Sequence, residues 1–564
     1  MDAHLLQSGV FPIHRNLQPA QGTYVRASIR TALLAATLLP GSARPGLSQA
    51  ESWWSHIEYL ADDRMRGRET GSPQHRLAAE YVARMFRKAG LRPGGEDGFF
   101  QPVSFTGRRI VEDRSSVSLL RNGVEEKLTL GEDLTINVRV SNAPSTEARL
   151  TFAGYGLSIP SHSHDDLAGL DIAGKIVLVM PGGPRGIAGP VLSHAQAQRW
   201  ATLRKRGAIG ILSVSSPSGD IPWSRSSLAR LNPQMTLTDT ALDETAGQKL
   251  NGVINPASAE KFFAGSGHAA ASLIEAALKG DSLPRFDLPV AIRATIAVDT
   301  WQVESQNVIG ILPGAKRSGK ADLSNQYVVL SAHLDHLGVG APIRGDSIFN
   351  GAMDNASGVA TLIELARALT RPGKRNARSI VFIAVTGEEK GLLGSRYFAH
   401  HPTVPAGSIV ANVNTDMFLP IIPLRALLVN GLEESDLADD ARRAGASVGV
   451  EVITDPEPER NAFIRSDQYS FIKRGIPALS LKTGFVKGSP EHETIKRWRA
   501  ERYHAPSDDL GQPVNFQAAA DFNRLYLRIV EEIANRPTRP RWNSDSYFAP
   551  RLSTSPASSD IRKS

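Results

Sequence analysis

Histidines, aspartates and glutamates recur at the ends of apolar runs in the second half of this chain. The first group, Ala332-His333-Leu334-Asp335-His336, closes the run 327–332. Residues two apart on extended backbone point to one side. His333 can therefore ligate a metal while Asp335 fixes its ring through the other nitrogen. Asp354, within Gly351-Ala-Met-Asp354-Asn355-Ala-Ser-Gly358, precedes a helical pattern. It reads either as an N-cap carboxylate or as one that bridges metals. Glu388 and Glu389 follow the apolar run 379–385 and, as neighbours, can face opposite ways. One could bind metal while the other faces an attacking water. Asp416 ends the run beginning at 409, and His504, in Tyr503-His504-Ala-Pro506-Ser507-Asp508, offers a second imidazole. Each signal alone is an ordinary loop residue. Together they supply two imidazoles and three carboxylates, a donor set suited to zinc, with one glutamate left over as a base.

Elements that could position these groups follow from the apolar patterning. From about 300 onwards strands alternate with helices, with strands expected at 327–332, 379–385, 409–413, 427–429 and 478–481. A helix is expected over 358–369, with Val359, Leu362, Ile363, Ala366 and Leu369 on one face. Such alternation predicts an α/β fold with helices on both faces of a central sheet. Ligands in that architecture gather beyond the C-terminal strand ends, where the candidate residues lie. Residues 51–91 read as helical, interrupted by the polar loop Met65-Arg-Gly-Arg-Glu-Thr-Gly71, with Gly90 as a C-cap. Between about 131 and 285 short apolar runs alternate with Gly/Pro/Ser-rich turns, which predicts a mostly β insert. The expected organisation is a leader (1–50), a first part of the α/β domain (51–130), the insert (131–285), the second part of the α/β domain with the candidate residues (286–540) and a disordered tail (541–564).

Composition narrows the chemistry. With no cysteine, thiolate metal sites and disulfides are excluded. The formal charge of +7 is concentrated at the ends: residues 1–50 set four arginines against Asp2, and 541–564 four cations against Asp545 and Asp560. The remainder is too weakly basic to imply nucleic acid binding. The densest basic run, 496–502, reads as a solvated loop. Arg26 and Arg30 ahead of the short apolar run 31–39, followed by small residues, resemble an export signal. That run is well short of the ~20 residues needed to span a bilayer. A periplasmic or secreted protein without a stable membrane anchor is expected.

These motifs resemble the zinc-dependent aminopeptidase family that includes bacterial leucyl aminopeptidases and, more distantly, glutamate carboxypeptidase. The resemblance rests on His333-Leu-Asp-His336-Leu-Gly338, the 351–358 segment, Glu388-Glu389-Lys-Gly391-Leu-Leu-Gly-Ser395 and Tyr503-His504-x-Pro506-Ser507-Asp508. It implies a phosphorylase/hydrolase-like zinc peptidase fold with a mixed sheet. The insert is similar to a protease-associated domain, most clearly at Asp171-Ile-Ala-Gly-Lys175-Ile-Val-Leu-Val179. The resemblance further implies two Zn2+ ions bridged by Asp354, one completed by His333 and Asp416, the other by Glu389 and His504. Glu388 becomes the general base and Tyr503 a donor to the oxyanion, with peptides as substrates. Two other readings share the fold: a single-zinc glutaminyl cyclase and a metal-free receptor-like homologue. Oligomeric state is not legible in the sequence.

Three further motifs carry weaker signals. His162, His164, Asp165 and Asp166 read as a solvated loop, and Arg344-Gly345-Asp346 as a turn. Arg465 could meet a substrate carboxylate or pair internally.

Overall fold

The computed structural model describes residues 45–549 except 220, 317–320, 374 and 461. Residues 1–44 of the expected leader (1–50) and 550–564 of the expected tail lie outside the described residues, while 45–50 of that leader belong to the helix Pro45–Leu60. The described residues fall in one compact unit.

Seven strands carry the site. They are β1 (Phe100–Ile110), β2 (Val298–Leu312), β3 (Tyr327–His333), β4 (Ser379–Val385), β5 (Ile409–Thr415), β6 (Ala426–Asn430) and β7 (Ala478–Thr483). They belong to a ten-stranded sheet in which the order of these seven is β1-β2-β4-β3-β5-β7-β6. The central four, β4-β3-β5-β7, run parallel, and β1, β2 and β6 pair antiparallel at either side. The fold is thus a mixed α/β sheet, as the alternation predicts. Strands β4 and β5 are buried along their whole length, and β3 and β7 at all but Tyr327 and Lys482, with both faces covered. Val328, Leu330, Ile380 and Phe382 pack in one apolar cluster, and Val329, Val381 and Ile383 in another on the opposite side.

Five helices matter here: α1 (Pro45–Leu60), α2 (Pro73–Lys88), α3 (Ser357–Leu369), α4 (Pro490–Glu501) and α5 (Phe516–Asn535). In α3 every residue but Arg367 is buried, so the helix is covered all round rather than on one stripe. Ser72 caps α2 by accepting from the His75 amide, and Pro73 stands at its first position. The loop between α1 and α2 is far from solvated. Arg68 is fully buried and donates to the carbonyls of Leu60, Leu334, Asn350 and Gly351. Its neighbour Gly67 lies so close to Phe349 and Gly338 that a Cβ would stand 2.2 Å from the Phe349 carbonyl.

A second, eight-stranded sheet spans Ser116 to Thr295, extending beyond the 131–285 segment set off by composition. Its chain leaves and re-enters between β1 and β2, which pair continuously from Phe100↔Val308 to Ile110↔Val298. The two junctions therefore sit side by side, with the Val111 amide donating to the Ala297 carbonyl at 2.9 Å.

Three expectations fail. Residues 496–501 are not a solvated loop but the end of α4, with Trp498 and Arg499 buried and Arg499 paired to Glu457 at 2.8 Å. His164 and Asp165–Asp166 are not solvated either. Asp166 is buried against His164 at 3.0 Å, and Asp165 pairs with Arg206 at 2.8 Å. Nor is the start of the tail disordered: Phe548 is buried beside Phe463 and Trp542, whose indole donates to the Gly475 carbonyl. In each case an apolar or paired contact from a distant segment supplies what the local composition lacks. Arg344-Gly345-Asp346 is a turn, joining the paired strands Gly338–Ile343 and Asp346–Phe349. Among the described residues, no helix is long and apolar enough to cross a membrane.

Candidate active site

Parallel strands in register place their C-terminal ends along one edge. His333 ends β3 opposite Val385 of β4, so the Glu388–Glu389 turn lies beside it, and Asp416 follows β5 on the other flank. Gly387, at φ +68°, turns the chain after β4.

His333 is 1% exposed, and its Nε2 lies 3.1 Å from Asp354 Oδ1 and 3.4 Å from Asp416 Oδ1. The second oxygen of Asp354 lies 3.4 Å from His504 Nε2, which is also 3.3 Å from Glu389 Oε2. The five expected ligand positions thus converge, with Asp354 between the two imidazoles. The same carboxylate is common to two sets of donor atoms, each within 4.8 Å of one another: His333, Asp354, Asp416 and His336, Asp354, Glu389. Asp354 does not cap α3. The neighbouring Asn355 accepts from the Gly358 amide instead, which leaves the Asp354 carboxylate free for the site.

Asp335 differs from expectation. The ring nitrogen Nδ1 of His333 meets the backbone carbonyl of Asp335 at 3.0 Å, not its carboxylate. The carboxylate turns the other way, accepting from Thr70 Oγ1 and from the amides of Glu388 and Glu389 at 3.0–3.3 Å. Asp335 therefore holds the two-glutamate turn in place and touches the histidine only through its main chain.

The carboxyls divide by their surroundings. Burial raises Glu388 well above its ordinary range; His333 opposes this, while Glu389, Asp467 and Asp416 add to it. Burial also acts on Glu389, but His504 and His336 outweigh it and hold the carboxyl well below its ordinary range. Asp354 is likewise below it: burial and Glu389 push upwards, and the His333 and His504 contacts prevail. Both imidazoles are raised despite burial, His333 by Glu388, Asp354 and Asp416 and His504 by Glu389, Tyr503 and Asp354. Dense negative charge around buried imidazoles is the electrostatic imprint of a cation site.

Several residues of the site carried no legible role in the sequence. His336 is fully buried with Nδ1 2.7 Å from Glu389 Oε1. Its spacing of three from His333 was visible, its target was not. Asp508 is also buried and accepts from the Met353 and Asp354 amides at 2.9 and 3.0 Å, fixing the loop that presents Asp354; burial pushes its carboxyl up to about 6. Arg139, from the second sheet's segment, donates to the Glu389 carbonyl at 3.0 Å. Tyr503 stacks on His504, ring centroids 3.9 Å apart, and its hydroxyl accepts from Arg465 at 3.5 Å. Glu388, Glu389, Asp354, Asp416, Tyr503 and His504 line one cavity of about 300 Å³.

The donors suit a divalent zinc-like ion: carboxylate oxygens and imidazole nitrogens only, clustered, with His333, Asp354 and Asp416 buried and Glu389 and His504 partly so. Among the described residues His336 Nδ1 and Glu389 Oε1 meet each other at 2.7 Å, while the buried His336 Nε2 finds no hydrogen bond.

Residues 307–530 match the model of peptidase family M28, and this segment is a peptidase M28 domain. Among individual relatives, the probable leucine aminopeptidase 2 of Aspergillus oryzae is 27% identical over 271 residues, covering 44% of this chain and 52% of the relative. Aminopeptidase YwaD of Bacillus subtilis is 26% identical over 242 residues, 42% of this chain and 46% of the relative. The chain spans about half the length of these curated relatives. In fold it is similar to an aminopeptidase from Aneurinibacillus sp. strain AM-1, with a TM-score of 0.53, 19% identity and coverage of 87% of this chain and 96% of that one.

Proposed function

We propose that this chain is a zinc-dependent aminopeptidase that holds two Zn2+ ions through His333, Asp354, Glu389, Asp416 and His504. The observation that carries this reading is the shared carboxylate: Asp354 belongs to both donor sets, one oxygen toward each imidazole. Relatives named leucine aminopeptidase, aminopeptidase and zinc metalloprotease support it.

Zinc, when bound, polarises the scissile carbonyl and makes water acidic enough to attack near neutral pH. The rest falls to the protein. Glu388 lines the cavity beside the donor cluster, and its side chain forms no hydrogen bond or ion pair among the described residues. Its raised affinity for a proton suits a general base. It takes a proton as the water oxygen bonds to the peptide carbon, then delivers it to the nitrogen as the C–N bond breaks. Asp335 orients this base by holding the Glu388 amide. Tyr503, its hydroxyl steadied by Arg465, is placed to donate to the oxyanion.

We further infer export to the periplasm or beyond from the Arg26–Leu39 segment, peptides as the partner class, and a protease-associated role for the second sheet, which reaches the site through Arg139.

Aminoacyl-nitroanilide hydrolysis, measured with elemental analysis, tests the reading. The expected result is two zinc ions per chain, with turnover lost on chelation and restored by zinc. A chelator-resistant activity, or full activity with one ion, would contradict it.

A further inference from the structure

The cavity beside the donor cluster carries five cationic side chains besides the histidines: Arg139, Arg460, Arg465, Lys482 and Arg499. Four are engaged. Arg499 and Arg460 lie 2.8 and 3.7 Å from Glu457, Arg139 holds the Glu389 carbonyl, and Arg465 meets Tyr503. Lys482 is different. Among the described residues its ammonium has no hydrogen bond and no ion pair.

Position makes this informative. Lys482 is the next-to-last residue of β7, paired with Leu428 of β6, on the edge of the sheet where Asp416 stands. It is only partly exposed and shares the cavity wall with Phe418, Leu428, Phe485 and Ile495, while α4 contributes Ile495 and Arg499 from the far side. The two acids deeper in the cavity are spoken for. Glu457 is shared by His492, Arg499 and Arg460, and Asp455 accepts from the Glu457 amide at 2.8 Å. An ammonium that makes no hydrogen bond or ion pair among the described residues, in a cavity with apolar and charged walls, is complementary to an anion arriving with the ligand.

We propose that Lys482 forms an anion subsite that binds a carboxylate of the peptide substrate. The inference rests on the peptidase reading above. Two sources present this chemistry: the acidic side chain of an N-terminal Asp or Glu, and the free C-terminus of a short peptide. A cavity of about 300 Å³ is of a size for one or two residues.

Matched pairs tell the sources apart. Glu-nitroanilide against Gln-nitroanilide reports the side chain, and Leu-Gly against Leu-Gly-amide reports the terminus. Each is measured on the zinc-loaded full chain, in wild type and in Lys482→Met, Lys482→Glu and Lys482→Arg, with metal content determined on the same samples. The acidic-to-neutral ratio of kcat/KM for one pair should fall by about tenfold or more in Lys482→Met, the loss of one charge-assisted hydrogen bond. It should fall further in Lys482→Glu and be largely kept in Lys482→Arg. Ratios within twofold of wild type for both pairs would overturn the subsite. If the wild type cleaves none of the four, the peptidase reading fails by itself. Binding of the same compounds, read by thermal shift, then decides the subsite: a charge preference abolished in Lys482→Met supports it, and its absence in wild type refutes it.

Discussion

Glu388 and Glu389 are chain neighbours with opposite surroundings. Glu389 sits between His336 and His504, and Glu388 faces the cavity with no cation touching its carboxyl. Exchanging them is therefore not neutral. Glu388→Gln should keep the shape and the bound metal yet lower kcat by ~10²–10⁴, the span of a general base. Zinc content by elemental analysis beside steady-state rates checks this, and undiminished turnover in a metal-loaded sample would remove Glu388 from the mechanism. At this scale the sequence was most readable, because His333, Glu389 and Asp416 end or follow strands that can be seen as apolar runs, and Asp354 and His504 flank helices. What it left open depends on direction rather than identity. Asp335 lies where expected but turns its carboxylate to the Glu388 and Glu389 amides. His336 and Lys482 lie on visible elements too, but what each faces is set by packing from segments far along the chain.

Among elements, α1 and α3 are tied by a buried polar cluster rather than by apolar contact alone. Glu364 of α3, 5% exposed, accepts from Ser52 Oγ of α1 at 2.8 Å and from Arg367 at 2.7 Å, and lies 3.3 Å from His56 of α1. Burial pushes its carboxyl up, but His56, Ser52 and Arg367 more than compensate, so it lies below its ordinary range. A carboxyl depressed in the folded state stabilises above its unfolded pKa of about 4.3 and loses that contribution as pH falls through the folded value. Glu364→Gln should therefore be less stable by about 1–3 kcal/mol at neutral pH. The difference should close on acidification below pH ~4, where the wild-type carboxyl also becomes neutral. Urea midpoints between pH 3 and 7 test this; a constant gap would show that packing and not charge is lost. The helices themselves were foreseeable from periodicity. The all-round burial of α3 and the buried end of α4 were not, since both reflect what packs on them.

For the whole molecule, the site draws on segments 440 residues apart, from Arg68 to Asp508. Repulsion among Asp354, Glu389 and Asp416 must be offset for the strand ends to close together. A cation binding only the folded state adds RT ln(1 + [L]/Kd), about 2.7 kcal/mol at a hundredfold excess over Kd. Tm should therefore climb with the logarithm of zinc concentration and fall on chelation, as scanning calorimetry can follow; a Tm indifferent to zinc would separate the cluster from folding. Two domains were expected from length, and the second sheet is the part whose limits composition blurred. Its first and last strands along the chain, Ser116–Arg121 and Arg285–Thr295, are continuous in pattern with β1 and β2, so only pairing partners show where one sheet gives way to the other.

Diffraction at the zinc absorption edge puts the central claim to its most direct test. Two anomalous peaks flanking the Asp354 carboxylate are predicted, one beside His333 and Asp416, the other beside Glu389 and His504. A lone peak, or peaks that leave Asp354 unshared, would contradict the account.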